Sequence, residues 1–90
     1  MTVLGEVLLD EVLAEVRDEI TGAANRYGMF TSTHEALGVL CEEWDELRQA
    51  VQANKLESVR IEAIQVAAVA IRLALHCRDN VRFAQRSTGT

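Results

Sequence analysis

Proline is absent from this chain of 90 residues, and only five residues are glycine. Sheets joined by tight turns depend on such residues, whereas helices tolerate their scarcity. Aromatic side chains are few as well, with one Trp, one Tyr and two Phe in a hydrophobic fraction of 49%. The apolar content is therefore aliphatic, and the composition predicts a single all-α domain over residues 1–90.

Positive charge is also scarce, since nine Lys and Arg residues stand against 14 Asp and Glu residues, for a formal net charge of −5. A protein that binds the nucleic-acid backbone needs a basic face. Only the final stretch is basic, and its Arg78, Arg82 and Arg86 are placed to complement the C-terminal end of a helix dipole. We therefore expect no nucleic acid among the partners.

Signals for secretion, membrane insertion and disulfide formation are missing from the sequence. The first six residues lack the basic segment of a signal peptide, and the longest apolar stretch, residues 63–77, is too short and too polar to span a bilayer. Cys41 and Cys77 form no metal-binding or redox motif, so we expect both to be reduced and buried as small hydrophobic residues. These features predict a cytoplasmic protein without a membrane partner.

The aliphatic content also predicts self-association. A domain of 90 residues buries a smaller share of its surface than a large domain does. Oligomerisation is a common way to cover the remaining apolar surface of a small core. We therefore expect a homodimer or a higher homo-oligomer, with a twofold dimer as the simplest closed arrangement.

Apolar residues spaced three and four apart predict three helices, over residues 3–27, 33–53 and 56–83, followed by a frayed tail over residues 84–90. Gly28 is a plausible end for the first helix. The apolar face of that helix consists of Leu4, Leu8, Val12, Val16, Ile20, Ala23 and Tyr27.

The second helix begins at a capping box formed by Ser32 and Glu35. Its apolar face includes Trp44, which we expect in the core. Asn54 ends this helix and also has the character of an N-cap for the third helix, which makes the two helices an antiparallel hairpin.

The third helix is apolar nearly all the way round, except for one narrow line of polar residues. A helix of this kind is buried on most sides. The line has two interpretations, a thin solvent-facing strip or a set of side chains turned toward a site. We call it the polar seam, and its members are Ser58, Glu62, Gln65, Arg72, His76 and Asp79, with Val69 filling the gap.

Acidic residues crowd one turn of the second helix, where Glu43 and Glu46 lie three apart on one face. Like charges so close repel one another, and a divalent cation such as Mg²⁺ is a natural counter-charge for carboxylate oxygens. Glu46 and Glu62 are each eight residues from Asn54, while Glu43 and Gln65 are each eleven away. The hairpin therefore predicts that these side chains meet at one level, although a solvated acidic surface has the same spacing.

The order Glu43-x-x-Glu46, then Glu62-x-x-Gln65 after a short hairpin, resembles the MazG-like all-α nucleotide pyrophosphohydrolases. Their pattern is Glu-x-x-Glu followed by Glu-x-x-Asp. The wider runs at residues 34–47 and 62–68 are similar to a compact branch of that family carried by phages and bacteria, and the likeness covers about residues 27–77. Gln65 departs from the pattern, because an amide oxygen brings no charge and cannot act as a base.

The resemblance implies an oligomeric bundle of the four-helix type that binds Mg²⁺, with Mn²⁺ as a substitute. It implies cleavage of a nucleoside or deoxynucleoside triphosphate to the monophosphate and pyrophosphate. The metal ligands would be Glu43, Glu46, Glu62 and Gln65, and the residues involved in catalysis would be Glu42, Glu43 and Glu46, with Glu42 able to deprotonate the attacking water.

Other side chains are candidates for contact with the substrate. The phosphate groups would meet cationic residues, namely Arg72, Lys55 and Arg60. For Arg72, a salt bridge to an acidic residue of the first helix is the alternative. The base would meet Tyr27, Phe30 or His34, of which Phe30 and Tyr27 are equally explained as hydrophobic anchors of the loop before the second helix.

Two other functions remain open on the sequence alone. A non-catalytic MazG-like bundle that binds nucleotide or metal, or that regulates a partner, is favoured by Gln65. A plain oligomeric helical scaffold would carry the same acidic residues exposed to solvent and without a metal. Stabilisation by Mg²⁺ separates the scaffold from the other two, and release of pyrophosphate separates the enzyme from the binding protein.

Overall fold

The computed structural model describes the backbone of residues 1–88 and the side chains of residues 1–78. These residues form three helices: α1 (Val3–Tyr27), α2 (Thr33–Gln52) and α3 (Leu56–Thr88). The all-α fold is therefore confirmed, and one chain supplies three helices, not four. The helix α3 continues past its predicted end near Phe83, while residues 89 and 90 of the expected tail lie outside the described part.

Local hydrogen bonds define both ends of the loop between α1 and α2. Gly28 has a φ of 75°, which favours glycine, and its N–H donates to the carbonyl of Ala24 over 2.9 Å. The N–H of Glu35 donates to Ser32 Oγ over 3.0 Å, as the capping box predicts. The Glu35 carboxylate accepts from the hydroxyl and the N–H of Thr31, one residue earlier than expected.

The turn between α2 and α3 is a Schellman motif. Asn54 adopts a left-handed φ of 56°, its N–H donates to the carbonyl of Val51, and the N–H of Lys55 donates to the carbonyl of Ala50. Asn54 thus ends α2 as predicted. Its predicted role as N-cap of α3 is wrong, because α3 begins at Leu56, directly after Lys55.

The central helix is α3, which packs on both α1 and α2. Near the start of α3, Arg60 pairs with Glu15 of α1. About 10–20 Å further along α3, Arg72 donates to the carbonyl of Gly28, which follows the end of α1. Both contacts advance in the same direction along the two helices, so α1 and α3 run parallel. The α2–α3 pair is antiparallel and buries a small core of Phe30, Ala36 and Val69, against which Val39, Leu40 and Leu73 pack. Within the described residues α1 and α2 are not packed on each other, so a cleft separates them above α3.

The middle of the polar seam lines this cleft, through Gln65, Val69 and Arg72. Val69 and Arg72 are buried, and Ser58, Glu62, Gln65 and His76 are half-buried. The side chain of Asp79 lies outside the described residues. In contrast, Ile61, Ile71 and Leu75 on other faces of α3 are 40–45% exposed. At Gln65, Val69 and Arg72 the seam is therefore not a solvent-facing strip, because these positions line the cleft between α1 and α2.

Several apolar residues that were expected inside are exposed in the single chain. Trp44 is 59% exposed and Tyr27 75% exposed, and the thiols of Cys41 and Cys77 are free and exposed. In α1 the predicted face is buried only at Val16 and Ala23, while its first half is exposed. The reason is geometric: Glu15 pairs with Arg60, which is only four residues into α3, so most of the first half of α1 lies beyond the start of α3.

Among the described helices, none combines enough length with enough hydrophobicity to cross a bilayer.

Candidate metal centre

Three carboxylates converge across the α2–α3 hairpin. Glu43 and Glu46 lie on one face of α2, and Glu62 lies opposite them on α3. One oxygen from each residue lies within 4.8 Å of the others. The convergence predicted from the position of Asn54 is therefore confirmed, because the short turn sets the register of the two helices.

Two oxygens of this cluster are buried without a hydrogen-bond partner, Oε2 of Glu43 and Oε2 of Glu62. A buried carboxylate oxygen that is left unsatisfied costs free energy, and a neighbouring like charge adds to that cost. Among the described side chains, no cation pairs with any of the three glutamates. The cluster therefore carries uncompensated negative charge.

The pKa values of Glu43 and Glu62 reflect this environment. Burial raises the pKa of Glu43, and the charges of Glu46 and Glu62 raise it further. Burial also raises the pKa of Glu62, and so does the neighbouring carboxylate of Glu46. Both shifts have the same origin, because each carboxylate is partly removed from water and faces another carboxylate.

The donor set fits a hard divalent cation. Mg²⁺ takes oxygen ligands at about 2.0–2.1 Å, so two ligands on opposite sides of the ion are about 4.2 Å apart. The largest separation among the oxygens of Glu43, Glu46 and Glu62 is bounded by 4.8 Å. Side-chain adjustments of a few tenths of an ångström per residue would close that difference, and the two orphaned oxygens would gain a partner.

A cavity of about 370 Å³ adjoins the cluster, between α1 and α2 and above α3. Its volume lies within the range of small-molecule sites. Glu43 connects the cavity to the carboxylate cluster. The predicted site residues that line it are Glu42, Glu43, Gln65, Arg72, Tyr27 and Phe30.

Arg72 is a buried cation in the wall of this cavity. Its side chain is only 8% exposed, and its guanidinium carbon lies 4.2 Å from the centre of the Phe30 ring. One Nη2–H donates to the carbonyl of Gly28 over 3.4 Å. The salt bridge to α1 that was the alternative is not formed, and no other acid among the described side chains pairs with Arg72. Most of the five guanidinium donors are therefore available to an anion in the cavity.

The aromatic candidates differ in their roles. Phe30 is 6% exposed and belongs to the core, so its hydrophobic anchoring of the loop is confirmed. Tyr27 is the last residue of α1 and is exposed at the rim of the cavity. His34 is exposed at the start of α2 and does not line the cavity.

Two of the predicted phosphate-binding residues are not brought to the site. Arg60 is engaged by Glu57 and Glu15, an arrangement that ties α1 to α3 and raises the pKa of Arg60. Lys55 is exposed at the α2–α3 turn. Neither lines the cavity, because both lie near the α2–α3 turn, whereas Arg72 lies near the middle of α3.

Glu19 is a site residue that the sequence reasoning missed. It lines the cavity, and its charge contributes to the raised pKa of Glu43 across the cleft. Glu19 follows the buried Val16 by three residues and precedes the buried Ala23 by four, so it shares their face of α1. The spacing in the sequence thus indicated which face of α1 carries Glu19. It could not indicate which helix packs against that face, because this depends on the tertiary fold.

Comparisons with protein-family models, with curated proteins and with solved structures found no match to this chain. The likeness to MazG-like enzymes therefore stays a prediction from the sequence motifs. The features of the structure that bear on function are the carboxylate cluster, the cavity and the buried arginine.

Proposed function

We propose that this chain is a Mg²⁺-dependent nucleotide pyrophosphohydrolase that acts in the cytoplasm as a homo-oligomer. Its substrate would be a nucleoside or deoxynucleoside triphosphate, and its products the monophosphate and pyrophosphate. One observation carries the proposal: the uncompensated cluster of Glu43, Glu46 and Glu62 adjoins a cavity whose wall contains the buried Arg72. A polyanion with a bound divalent cation matches both groups, because the cation would bind the carboxylates and the anion would bind Arg72.

The carboxylates of Glu43, Glu46 and Glu62 would hold the ion, with Mn²⁺ able to replace Mg²⁺. The amide oxygen of Gln65, which faces the same cavity, would be a neutral fourth ligand. When bound, the ion supplies positive charge that offsets the charge developing on the phosphate oxygens. Its affinity is set by three charges from the protein, because Gln65 adds none.

Arg72 would bind the phosphate chain. Its flat fork of donors suits phosphate oxygens, and its contact with the Phe30 ring holds the guanidinium in place before the substrate arrives. Gln65 and Arg72 are seven residues apart on α3, which corresponds to about 10 Å along the helix axis. Because Glu43 lies at the level of Gln65 in the hairpin, the cationic group and the nearest carboxylate are separated by about 10 Å along the helix axis, a distance suited to an extended polyphosphate.

Glu42 is the candidate for the proton acceptor. It is exposed, lines the cavity and is the neighbour of Glu43 in the chain. Water would attack the α-phosphorus in line, the bond from that phosphorus to the α–β bridging oxygen would break, and pyrophosphate would leave with that oxygen. The proton of the attacking water would pass to the Glu42 carboxylate.

The base of the nucleotide would lie toward the rim, where Tyr27 is exposed and has the freedom to stack on it. Phe30 would contribute through Arg72, since its ring is already buried against the guanidinium. His34 is a weaker candidate because it lies outside the cavity lining.

The alternative is a MazG-like bundle that binds nucleotide or metal without hydrolysing it. Gln65 favours this alternative, because a neutral amide lowers the charge of the site and cannot accept a proton. A purely structural scaffold is a third function, and it is disfavoured by the buried, unsatisfied oxygens of Glu43 and Glu62.

The test is a panel of nucleoside and deoxynucleoside triphosphates, incubated with the protein with and without Mg²⁺, with released pyrophosphate as the readout. We expect release that requires Mg²⁺ from at least one nucleotide. If Mg²⁺ raises the melting temperature but no nucleotide yields pyrophosphate, the binding protein is the correct function. If Mg²⁺ changes neither stability nor turnover, the scaffold is correct.

A further inference from the structure

The first half of α1 extends beyond the rest of the chain. The pair Arg60–Glu15 places Glu15 beside the second turn of α3, and α1 runs parallel to α3. Residues before about position 11 therefore lie past the start of α3, and Val3 is about 12 Å beyond it at 1.5 Å per residue. We call residues 3–13 the N-terminal arm, and its large apolar side chains are all 42–78% exposed: Val3, Leu4, Val7, Leu8, Leu9, Val12 and Leu13.

These side chains occupy most of the circumference of the arm. At 100° per residue, Leu4, Leu8 and Val12 form one row, while Leu9 and Leu13 lie well to the side of it. A single neighbouring helix covers only one stripe of a helix surface. Contact with one helix would therefore leave part of the arm exposed, whereas a groove between two helices could cover it.

Such a groove exists on the outer side of the α2–α3 pair. It has a volume of about 350 Å³, and all of its lining residues are apolar. Trp44 is 59% exposed and Leu37 54% exposed, although both are residues suited to a core. We call this surface the outer groove, and it is lined by Leu37, Leu40, Cys41, Trp44 and Val66.

The dimensions of the two surfaces agree. Leu37 and Trp44 are seven residues apart, about 10 Å along α2, and Leu4 and Val12 are eight apart, about 12 Å along the arm. The arm of a chain projects beyond the hairpin turn and cannot reach its own outer groove, which starts about 15 Å on the other side of that turn. An arm that lies in the outer groove must therefore come from a second chain.

The exposed area points to a second copy as well. The single chain exposes 6712 Å², whereas a compact monomer of 10.0 kDa exposes about 5,200 Å². The excess of roughly 1,500 Å² exceeds the ~800 Å² that each partner buries in a standard stable interface. One closed dimer with an interface of standard size would remove about half of this excess.

We propose that the N-terminal arm of one copy lies in the outer groove of a second copy, and that the two copies exchange arms about a twofold axis. A twofold axis perpendicular to the helices allows both arm–groove contacts to form together. The rotation inverts the second copy, so that its arm lies at the level of the outer groove of the first copy. The exchange leaves no arm uncovered, whereas a one-way contact would continue into a filament. This interface rests on the self-association in the proposed function, but not on the metal or the chemistry.

Disulfide trapping tests the contact directly, since Cys41 already lies in the outer groove. In a Cys77→Ser background, Leu4→Cys, Leu8→Cys and Val12→Cys are introduced one at a time and oxidised mildly. Cysteines bridge only when their Cα atoms come within about 7 Å. We expect at least one variant to form a covalent dimer on a non-reducing gel, and the same variant with Cys41→Ser to stay monomeric. A covalent dimer that persists without Cys41 means that arms pair with arms, and it overturns the proposal.

Light scattering coupled to size exclusion provides a second measurement. We expect the unmodified chain to have twice its monomer mass, and Leu8→Lys and Trp44→Lys each to become monomeric while circular dichroism still reports helix. The matched control is Ile71→Lys, an apolar residue that is 41% exposed on α3 outside both surfaces and should leave the dimer intact. A monomeric unmodified chain, or dissociation by Ile71→Lys alone, overturns the interface. Turnover is assayed separately, so loss of the interface and loss of the proposed chemistry are distinguishable.

Discussion

The guanidinium of Arg72 lies over the ring of Phe30, with its central carbon 4.2 Å from the ring centroid. Phe30 belongs to the loop between α1 and α2, and Arg72 belongs to α3, so the pair joins the loop to the central helix. The same ring packs on Ala36 and Val69 in the core. One contact therefore both anchors the loop and directs a buried positive charge into the cavity between α1 and α2.

The first prediction concerns the stability of this anchor. Phe30→Ala removes a buried ring and should lower the free energy of unfolding by about 3–4 kcal/mol, measured by urea denaturation. Tyr27→Ala is the matched control, because Tyr27 is 75% exposed and its loss should change stability little. Equal destabilisation by the two variants would contradict the assignment of Phe30 as the anchor.

The second prediction concerns Arg72. Arg72→Met keeps the volume and removes a buried charge that has no acidic partner among the described side chains, so the melting temperature should stay level or rise. The KM for the nucleotide should rise by roughly 10–100-fold, because charged hydrogen bonds to phosphate are lost. Arg60→Met is the control, since it breaks the ties to Glu15 and Glu57 and should lower the melting temperature without changing the KM.

The third prediction concerns the carboxylates. Glu43→Gln and Glu46→Gln should each reduce Mg²⁺-dependent release of pyrophosphate by roughly 100-fold or more, because each removes a charged ligand. The helix content should stay unchanged, since each substitution also relieves repulsion within the cluster. Asp45→Asn serves as the control, because Asp45 is held by Arg48 and Gln49 on the outside of the same turn. Full activity in both glutamine variants would remove these residues from the site.

The fourth prediction concerns Gln65. Gln65→Asp adds a fourth carboxylate and should tighten Mg²⁺ binding by roughly tenfold, measured by calorimetry without nucleotide. Gln52→Asp introduces the same charge on the exposed end of α2 and should leave the affinity unchanged. An affinity that stays level or falls for Gln65→Asp would show that residue 65 does not contact the ion.

The fifth prediction is a pH dependence without divalent ions. The pKa values of Glu43 and Glu62 are raised above their usual 4.5 by burial and by neighbouring carboxylates. The folded state therefore binds these protons more readily than the unfolded state. The resulting stabilisation is complete below about pH 4.5 and is lost as the pH rises through the raised values.

The measurement is the melting temperature of the unmodified chain minus that of Glu43→Gln across this range. We expect the difference to become more negative with rising pH, because the glutamine variant lacks the titrating group. Addition of Mg²⁺ should remove most of this pH dependence, since the bound ion compensates the negative charge of the deprotonated carboxylates. A difference independent of pH would mean that Glu43 is not repelled in the folded state.

The bounds of the helices were largely predictable because helix ends depend on nearby residues. Gly28, Ser32 and Asn54 each form their hydrogen bonds within five residues along the chain. The convergence of Glu43 and Glu62 was predictable for a related reason, since a short turn leaves two antiparallel helices only one register. Sequence spacing carries that information without knowledge of distant contacts.

The side of each helix that faces inward was decided only by the tertiary structure. The polar seam of α3 could equally have been a solvent-facing strip on the sequence alone. In the structure, however, its Arg72 is buried, while the apolar residues Trp44 and Leu8 are exposed. Burial depends on which helix lies alongside, and the loop before α2 allows α1 more than one placement. The sequence thus determined where helices start and stop and which carboxylates meet. The placement of α1 beside α3 decided that Glu19 joins the cavity, that Arg60 is occupied elsewhere and that the N-terminal arm is left uncovered.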